Sequence, residues 1–316
     1  MERVLLVVPV HNRLGELKEL LSSLRSLHLE GLELSVAIVD DASLDPVPKK
    51  MEDEYSDLNP TVIRSNNNIG PAGARNIALK NSDADFFWFL DSDAEIDDPQ
   101  VLKNMIRILR AHHEIGTVGG VVEQVSGEWK VFEPVLFLNT LVIPQYLPRK
   151  DYSKKFVSVI CTANLLVLRK VFELTNGFDE KLPRNEDEDL CLTLKKFRYQ
   201  NMQSEETLVR HKLSKSGRDS GAFAHFGDSK KYLSDLLKTR SLLIFKHNPW
   251  KLVILPILDV LTLMELFIGS KSNSLKLVRF GMVNKGRRFA NFLNLPLISI
   301  YYYFYGWLLL LKIKTP

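Results

Sequence analysis

An α/β fold built on a largely parallel sheet is predicted by three features of the sequence. Short β-rich runs alternate with helical periodicities over the first hundred residues. Several of those runs end in polar or acidic clusters. At 316 residues, with 45% hydrophobic and 25% charged side chains, the chain is long and apolar enough to bury a sizeable core, which excludes disorder as the default.

The elements follow in order. Residues 3–9 form an apolar run of strand type, and leucines at 14, 17, 20, 21, 24 and 27 give 14–27 the spacing of a one-faced helix. Residues 34–40 predict a second strand and 61–64 a third, with a helix over 72–80 and a fourth strand over 85–90 that runs into carboxylates. Right-handed crossovers between such units make the strands parallel. An amphipathic helix is expected at 99–112, strands at 116–123 and 156–168 in a less regular second half, and helices at 186–199 and 228–247. Past 247 the character changes: 252–268 and 295–311 are apolar runs separated by a basic stretch. The chain is therefore divided into an α/β body, 1–247, and a basic, apolar helical tail, 248–316.

Charge is divided in the same way. The formal net charge is +4, yet no Asp or Glu follows Glu265, whereas eight Lys and Arg do, which leaves −4 on residues 1–265. A basic tail on an acidic body implies an anionic partner for the tail, either lipid headgroups or nucleic acid. Nucleic acid is not expected, because the aromatic residues cluster in the apolar runs instead of interleaving with exposed cations. A 17-residue helix covers roughly 25 Å, short of a hydrocarbon core of about 30 Å. Moreover, the first run carries Pro256, Asp259 and Glu265. The tail is accordingly expected to lie along an anionic membrane surface, peripheral or monotopic, on the cytoplasmic face of the cell membrane. Cys161 and Cys191 have no metal-ligand spacing, and a secretory leader is not expected before the first strand.

In open α/β sheets ligands bind just past the carboxyl ends of strands. Four such places are polar here: Pro9-Val10-His11-Asn12-Arg13, Asp40-Asp41-Ala42-Ser43, the stretch from Asn66 through Gly70 to Arg75 and Asn76, and Asp91-Ser92-Asp93. A turn at a strand end can aim Asp91 and Asp93 at one cation, and paired carboxylates suit Mg²⁺ or Mn²⁺; taken alone, the same pattern also fits a solvated acidic turn. Asp40 can accept from a base or ribose or close a turn. Gly70 opens a helix whose N–H groups could face an anion or simply be capped. In Asn185-Glu186-Asp187-Glu188-Asp189 four consecutive acids repel one another, so one of them can be a general base or all can form an acidic first turn of a helix.

In this order the motifs resemble the inverting family 2 glycosyltransferases of the GT-A (Rossmann-like) fold, over roughly residues 3–247. The resemblance rests on Val7–Arg13, Val39–Ser43, Asn68–Asn76, Phe89-Leu90-Asp91-Ser92-Asp93, Gly177-Phe178-Asp179-Glu180 and Glu186-Asp187-x-Asp189-Leu190. It implies a nucleotide-sugar donor bound by Pro9, Val10, Asn12, Arg13, Asp40, Gly70, Arg75, Asp91, Ser92 and Glu186. It further implies Mn²⁺ or Mg²⁺ on Asp91, Asp93 and His211, and Asp187 as the base that deprotonates an acceptor hydroxyl. The acceptor would be a glycan or a lipid-linked molecule. A non-catalytic nucleotide-sugar-binding module and a nucleotidyltransferase are the rival readings; the cluster at Glu186-Asp187 after Gly177-Phe178 weighs against the latter.

Overall fold

In the computed structural model the described residues are 1–119 apart from 81, 122–124, 129–134, 142–147, 155–212 apart from 183, and 230–250. The apolar runs of the expected tail, 252–268 and 295–311, lie outside them. Among the described residues no helix is long and apolar enough to cross a membrane.

The chain begins with strand β1 (Glu2–Val10), helix α1 (Leu14–Leu24), strand β2 (Leu32–Asp41) and the single-turn helix α2 (Met51–Glu54). Next come β3 (Pro60–Ser65), α3 (Gly70–Leu79), β4 (Phe86–Leu90), the two-residue strand β5 (Ala94–Glu95) and α4 (Val101–Ala111). The second half holds strands β6 (Ile115–Gly119), β7 (Val122–Gln124), β8 (Trp129–Pro134), β9 (Val142–Leu147), β10 (Lys155–Val157) and β11 (Asn164–Leu168). After them come α5 (Arg169–Phe172), α6 (Glu186–Lys196), β12 (Gln200–Gln203), β13 (Val209–His211) and α7 (Lys230–His247).

Eight strands form one sheet in the order β10-β12-β6-β11-β4-β1-β2-β3. Strands β3, β2, β1 and β4 are mutually parallel, as the alternation of strand and helix predicts. β11, however, runs antiparallel to both β4 and β6, so the sheet is mixed. The reason is the connection: a parallel return needs a crossover, usually a helix, but the segment after β6 instead gives β7 and β8 to a second sheet. Each of the two strands expected at 116–123 and 156–168 is consequently two. The first breaks at Gly119, whose φ is +124°, and a Cβ there would lie 2.4 Å from the carbonyl oxygen of Asn164. Only glycine allows β6 to pass so close to β11 as it leaves the large sheet.

Packing follows the leucine spacing. Leu17, Leu20, Leu21 and Leu24 of α1 are fully buried with Val4, Leu6 and Val8 of β1 in one core, each contributing about 1.5–3 kcal/mol by removal from water. Every residue of β4 is buried, as a strand at the centre of a covered sheet requires.

Two compact units are distinguished: Met1–Phe132 with Tyr146–Glu180 and Glu186–Gly217, and Glu133–Gln145 with Lys181–Asn185 and Arg218–Pro316. The first holds the large sheet's central strands and every residue of the site described next. In the second, α7 buries Leu243 and Ile244.

Candidate active site

Because β2, β1 and β4 are parallel and in register, their carboxyl ends reach the same edge of the sheet. Antiparallel β11 starts where β4 stops, with Asn164 opposite Leu90, so residues 161–163 arrive at that edge too. The indole N–H of Trp88 in β4 donates to Asn164 Oδ1 at 3.1 Å and locks the two strands together.

Past Leu90 the chain turns at once: the amide of Ala94 donates to the carbonyl of Asp91 at 3.0 Å. The turn buries Ser92 and Asp93 and leaves Asp91 partly exposed. β5 then pairs antiparallel with β13, placing His211 opposite Ala94. His211 Nε2 lies 3.1 Å from Asp93 Oδ1 and 3.6 Å from Asp91 Oδ2. Asp91, Asp93 and His211 each offer an atom within 4.8 Å of the others. Two carboxylates and one imidazole form a donor set suited to a hard or borderline divalent cation.

Two buried arginines border this group. Arg13 Nη1 lies 3.1 Å from Asp93 Oδ1. Arg75, only 2% exposed, reaches from α3 to Asp91 Oδ1 at 3.1 Å with one nitrogen and to Glu186 Oε1 at 2.6 Å with the other. Burial works against its charge, but Glu186 and Asp91 outweigh it and hold the guanidinium protonated. Its guanidinium carbon also lies 5.6 Å from the ring centre of Phe178, in a cluster with Phe89 and Phe172. Asn76, the next residue of α3, exchanges hydrogen bonds of 2.9 Å with the backbone N–H and carbonyl of Phe178. In this way α3 fixes the approach to α6.

Glu186 and Asp187 open α6. Asp187 accepts from the amide of Glu188 at 2.8 Å and, at a longer 3.4 Å, from the amide of Thr162. Its pKa is pushed up to about 6, first by burial and then by the negative charge of Glu186; Arg75 and the two amides pull the other way without prevailing. Arg13 and Arg75 face four carboxylates here, Asp91, Asp93, Glu186 and Asp187. Carboxylates outnumber guanidiniums in this group, a setting that favours a bound cation.

Three sequence expectations place differently. Asp40 is fully buried: Oδ1 accepts from the amide of Ser43 at 2.9 Å and Oδ2 from that of Val47 at 3.1 Å, while Arg64 pairs with the same oxygen. Burial pushes its pKa up, but these partners hold it below the ordinary range, and they tie Asp40 to the loop after β2. Gly70, with φ +77°, does not offer its N–H to a ligand, since the amides of Ile69 and Gly70 donate to Asp41 at 2.8 and 2.9 Å. The anion at the start of α3 is thus the chain's own. Val10 is buried, pairs with Asp40 and serves as scaffold, while Pro9 beside it is partly exposed. Asn12, at φ +54°, bonds through its amide nitrogen to Ser43 Oγ and through Oδ1 to the amide of Leu44, tying the ends of β1 and β2 together.

The sequence reading overlooked the roles of Asp41 as a helix cap and of Thr162 beside Asp187. The strand alternation at Asp40-Asp41, which sends neighbours to opposite faces, was the available signal for the first. For Thr162 there was none.

The family model for glycosyl transferase family 2 matches residues 5–175. The poly(ribitol-phosphate) beta-N-acetylglucosaminyltransferase TarS of Staphylococcus aureus is 33% identical over 153 residues, 46% of this chain and 26% of TarS, so the chain spans about a quarter of that relative. The crystal structure of S. aureus TarS 1–349 in complex with UDP-GlcNAc superposes with a TM-score of 0.57 at 17% identity, covering 96% of this chain and 89% of that one. The mannosyltransferase PcManGT of Pyrobaculum calidifontis, in complex with GDP-Man and Mn²⁺, gives 0.53 at 18% identity, covering 95% and 85%. The matched residues run from within β1 to just past α5 and take in the parallel half of the sheet and the Asp91-Ser92-Asp93 turn; the chain belongs to glycosyl transferase family 2 and has a GT-A-like fold.

Proposed function

We propose that this enzyme transfers a sugar from a nucleoside-diphosphate sugar to an acceptor hydroxyl with inversion at the anomeric carbon, using Asp187 as the base. One observation carries the reading: the Arg75 bridge, which holds the start of α6, and with it Asp187, beside Asp91 in the Asp91–Asp93–His211 group. A pKa near 6 leaves Asp187 mostly ionised at neutral pH yet basic enough to take a proton from an attacking hydroxyl. Attack in line, opposite the departing nucleoside diphosphate, inverts the configuration.

Mn²⁺ or Mg²⁺ would be held by Asp91, Asp93 and His211. Their donor atoms and the local excess of negative charge fit such an ion, which when bound offsets the charge of the diphosphate. Pro9, Asn12, Arg13, Arg75, Asp91, Ser92 and Glu186 border the donor in this reading, with Arg13 and Arg75 paired to the carboxylates of the turn. The nucleotide sugars named in the two solved relatives support this class of donor.

The division into a body, 1–247, and a tail, 248–316, belongs to the same reading. The tail's nine basic residues, eight of them after Glu265, and its apolar runs support docking on anionic lipid at the cytoplasmic face, and a glycan or lipid-linked acceptor suits a site delivered there. A thermal-shift panel of nucleoside diphosphates and nucleotide sugars, with and without Mn²⁺, tests the core of the proposal. A ligand at 100 times its Kd adds about 2.7 kcal/mol of stability, and the absence of any metal-dependent shift would overturn it.

A further inference from the structure

Arg75 does more than balance charge. It is 2% exposed, its two terminal nitrogens end on carboxylates of two different elements, and its Nε has no hydrogen-bond partner among the described residues. A buried N–H left unsatisfied is costly, and a chain that needed only a packed core there would do better with an apolar side chain. The pairing also has a direction: Asp91 belongs to the turn after β4, Glu186 to the first turn of α6, and α3 supplies the bridge.

We propose that Arg75 is a positioning residue, which by gripping Asp91 and Glu186 together presents Asp187 to the acceptor hydroxyl. The inference rests on the reading of Asp187 as the base, but it concerns a different residue and a different observable. Asp187 is faced by Glu186 on its own helix, by Arg75 from α3, by the amides of Glu188 and Thr162, and by the buried thiol of Cys191. Arg75 and Glu186 act on it with opposite sign, whereas a residue that merely props α6 has no sign to show.

The test uses the full chain and follows the Asp187 carboxyl by carbon NMR with labelled aspartate, assigned by its loss in Asp187→Asn. In the wild type its midpoint is expected at about 6. In Arg75→Met it rises by about one pH unit or more, in Glu186→Gln it falls, and in Arg75→Lys, which keeps the charge, it stays close to wild type. The acid limb of kcat follows the same order. If the midpoint stays unmoved in a folded Arg75→Met or moves the same way in Arg75→Met and Glu186→Gln, the proposal is overturned. Should Arg75→Met fail to fold, Glu186→Gln with Arg75→Lys decides: a midpoint that does not fall in Glu186→Gln overturns it. Undiminished transfer by Asp187→Asn would instead remove the base, while the NMR midpoints would still report whether Arg75 holds the acid pair.

Discussion

His211 Nε2 stands 3.1 Å from Asp93 Oδ1, although 118 residues separate the two in the chain. The short pairing of β5 with β13 is what closes that distance, and it leaves an imidazole against two carboxylates in a buried turn. His211→Ala should therefore weaken the stabilisation by Mn²⁺ in the presence of a nucleoside diphosphate. Removing a partner that merely orients a ligand costs about 10–100-fold in metal affinity, and removing a ligand should cost at least that. Calorimetric titration of Mn²⁺ checks this; equal affinity in wild type and variant would take His211 out of the site.

Asp187→Asn is expected to lower kcat by about 10²–10⁴-fold, the contribution typical of a positioned general base, with little change in donor affinity. The side chain keeps its size and one carbonyl oxygen that can still accept from the amide of Glu188. Steady-state kinetics combined with donor binding by thermal shift separates the two effects. Lost donor binding at unchanged kcat would move Asp187 out of the base role.

The same substitution carries a stability signature with a defined sign. A carboxyl whose pKa is raised from 3.8 to about 6 on folding binds its proton more tightly in the native state. Stability therefore falls as pH climbs through the interval between the two values, and the penalty is complete above it. At pH 7.5 Asp187→Asn should be more stable than wild type by up to roughly 3 kcal/mol, from about 1.4 kcal/mol per pH unit. Below pH 4 the gain should vanish. Melting curves at the two pH values decide, and an unchanged gap between them would mean the raised pKa is not real.

Much of this site was legible because its residues sit where strands end, and strand ends are marked by the switch from apolar runs to polar clusters. The parallel half of the sheet and the Asp91-Ser92-Asp93 turn carry that mark, whereas the start of α6 shows in its run of four consecutive acids. Asp40 did not carry enough: in Asp40-Asp41 adjacent side chains take opposite faces, and nothing local says which one staples the following loop. The antiparallel direction of β11 depends on what the connection after β6 builds, a property of the whole path. In the bridge from Asp91 through Arg75 to Glu186, 111 residues separate Arg75 from Glu186, so it has no periodicity to be read.

Asp40→Asn separates a loop staple from a donor contact. The loop loses charge-assisted hydrogen bonds with Ser43, Val47 and Arg64, and the cost should be about 1–3 kcal/mol at neutral pH. Because partners hold the Asp40 pKa below its ordinary value, its contribution is complete above that value and fades as pH falls through the native one. Denaturant unfolding at pH 7 and at pH 3 checks the sign. A variant with wild-type stability and weakened donor binding would return Asp40 to the nucleoside.

The proposed docking of the tail sets the last expectation: eight cations and no acid after Glu265 would make an attraction to lipid electrostatic as well as apolar. Full-length protein should float with vesicles rich in phosphatidylserine or phosphatidylglycerol and stay behind with purely zwitterionic ones. Raising the salt shortens the screening length from about 10 Å at 0.1 M to about 3 Å at 1 M, so flotation should weaken between those conditions. The apolar runs hold on once the surface is reached, which makes the salt effect partial if salt is added after binding and nearly complete if added before. Equal flotation with anionic and zwitterionic vesicles would assign the tail to apolar contact alone, and none with either would detach the enzyme from the membrane altogether.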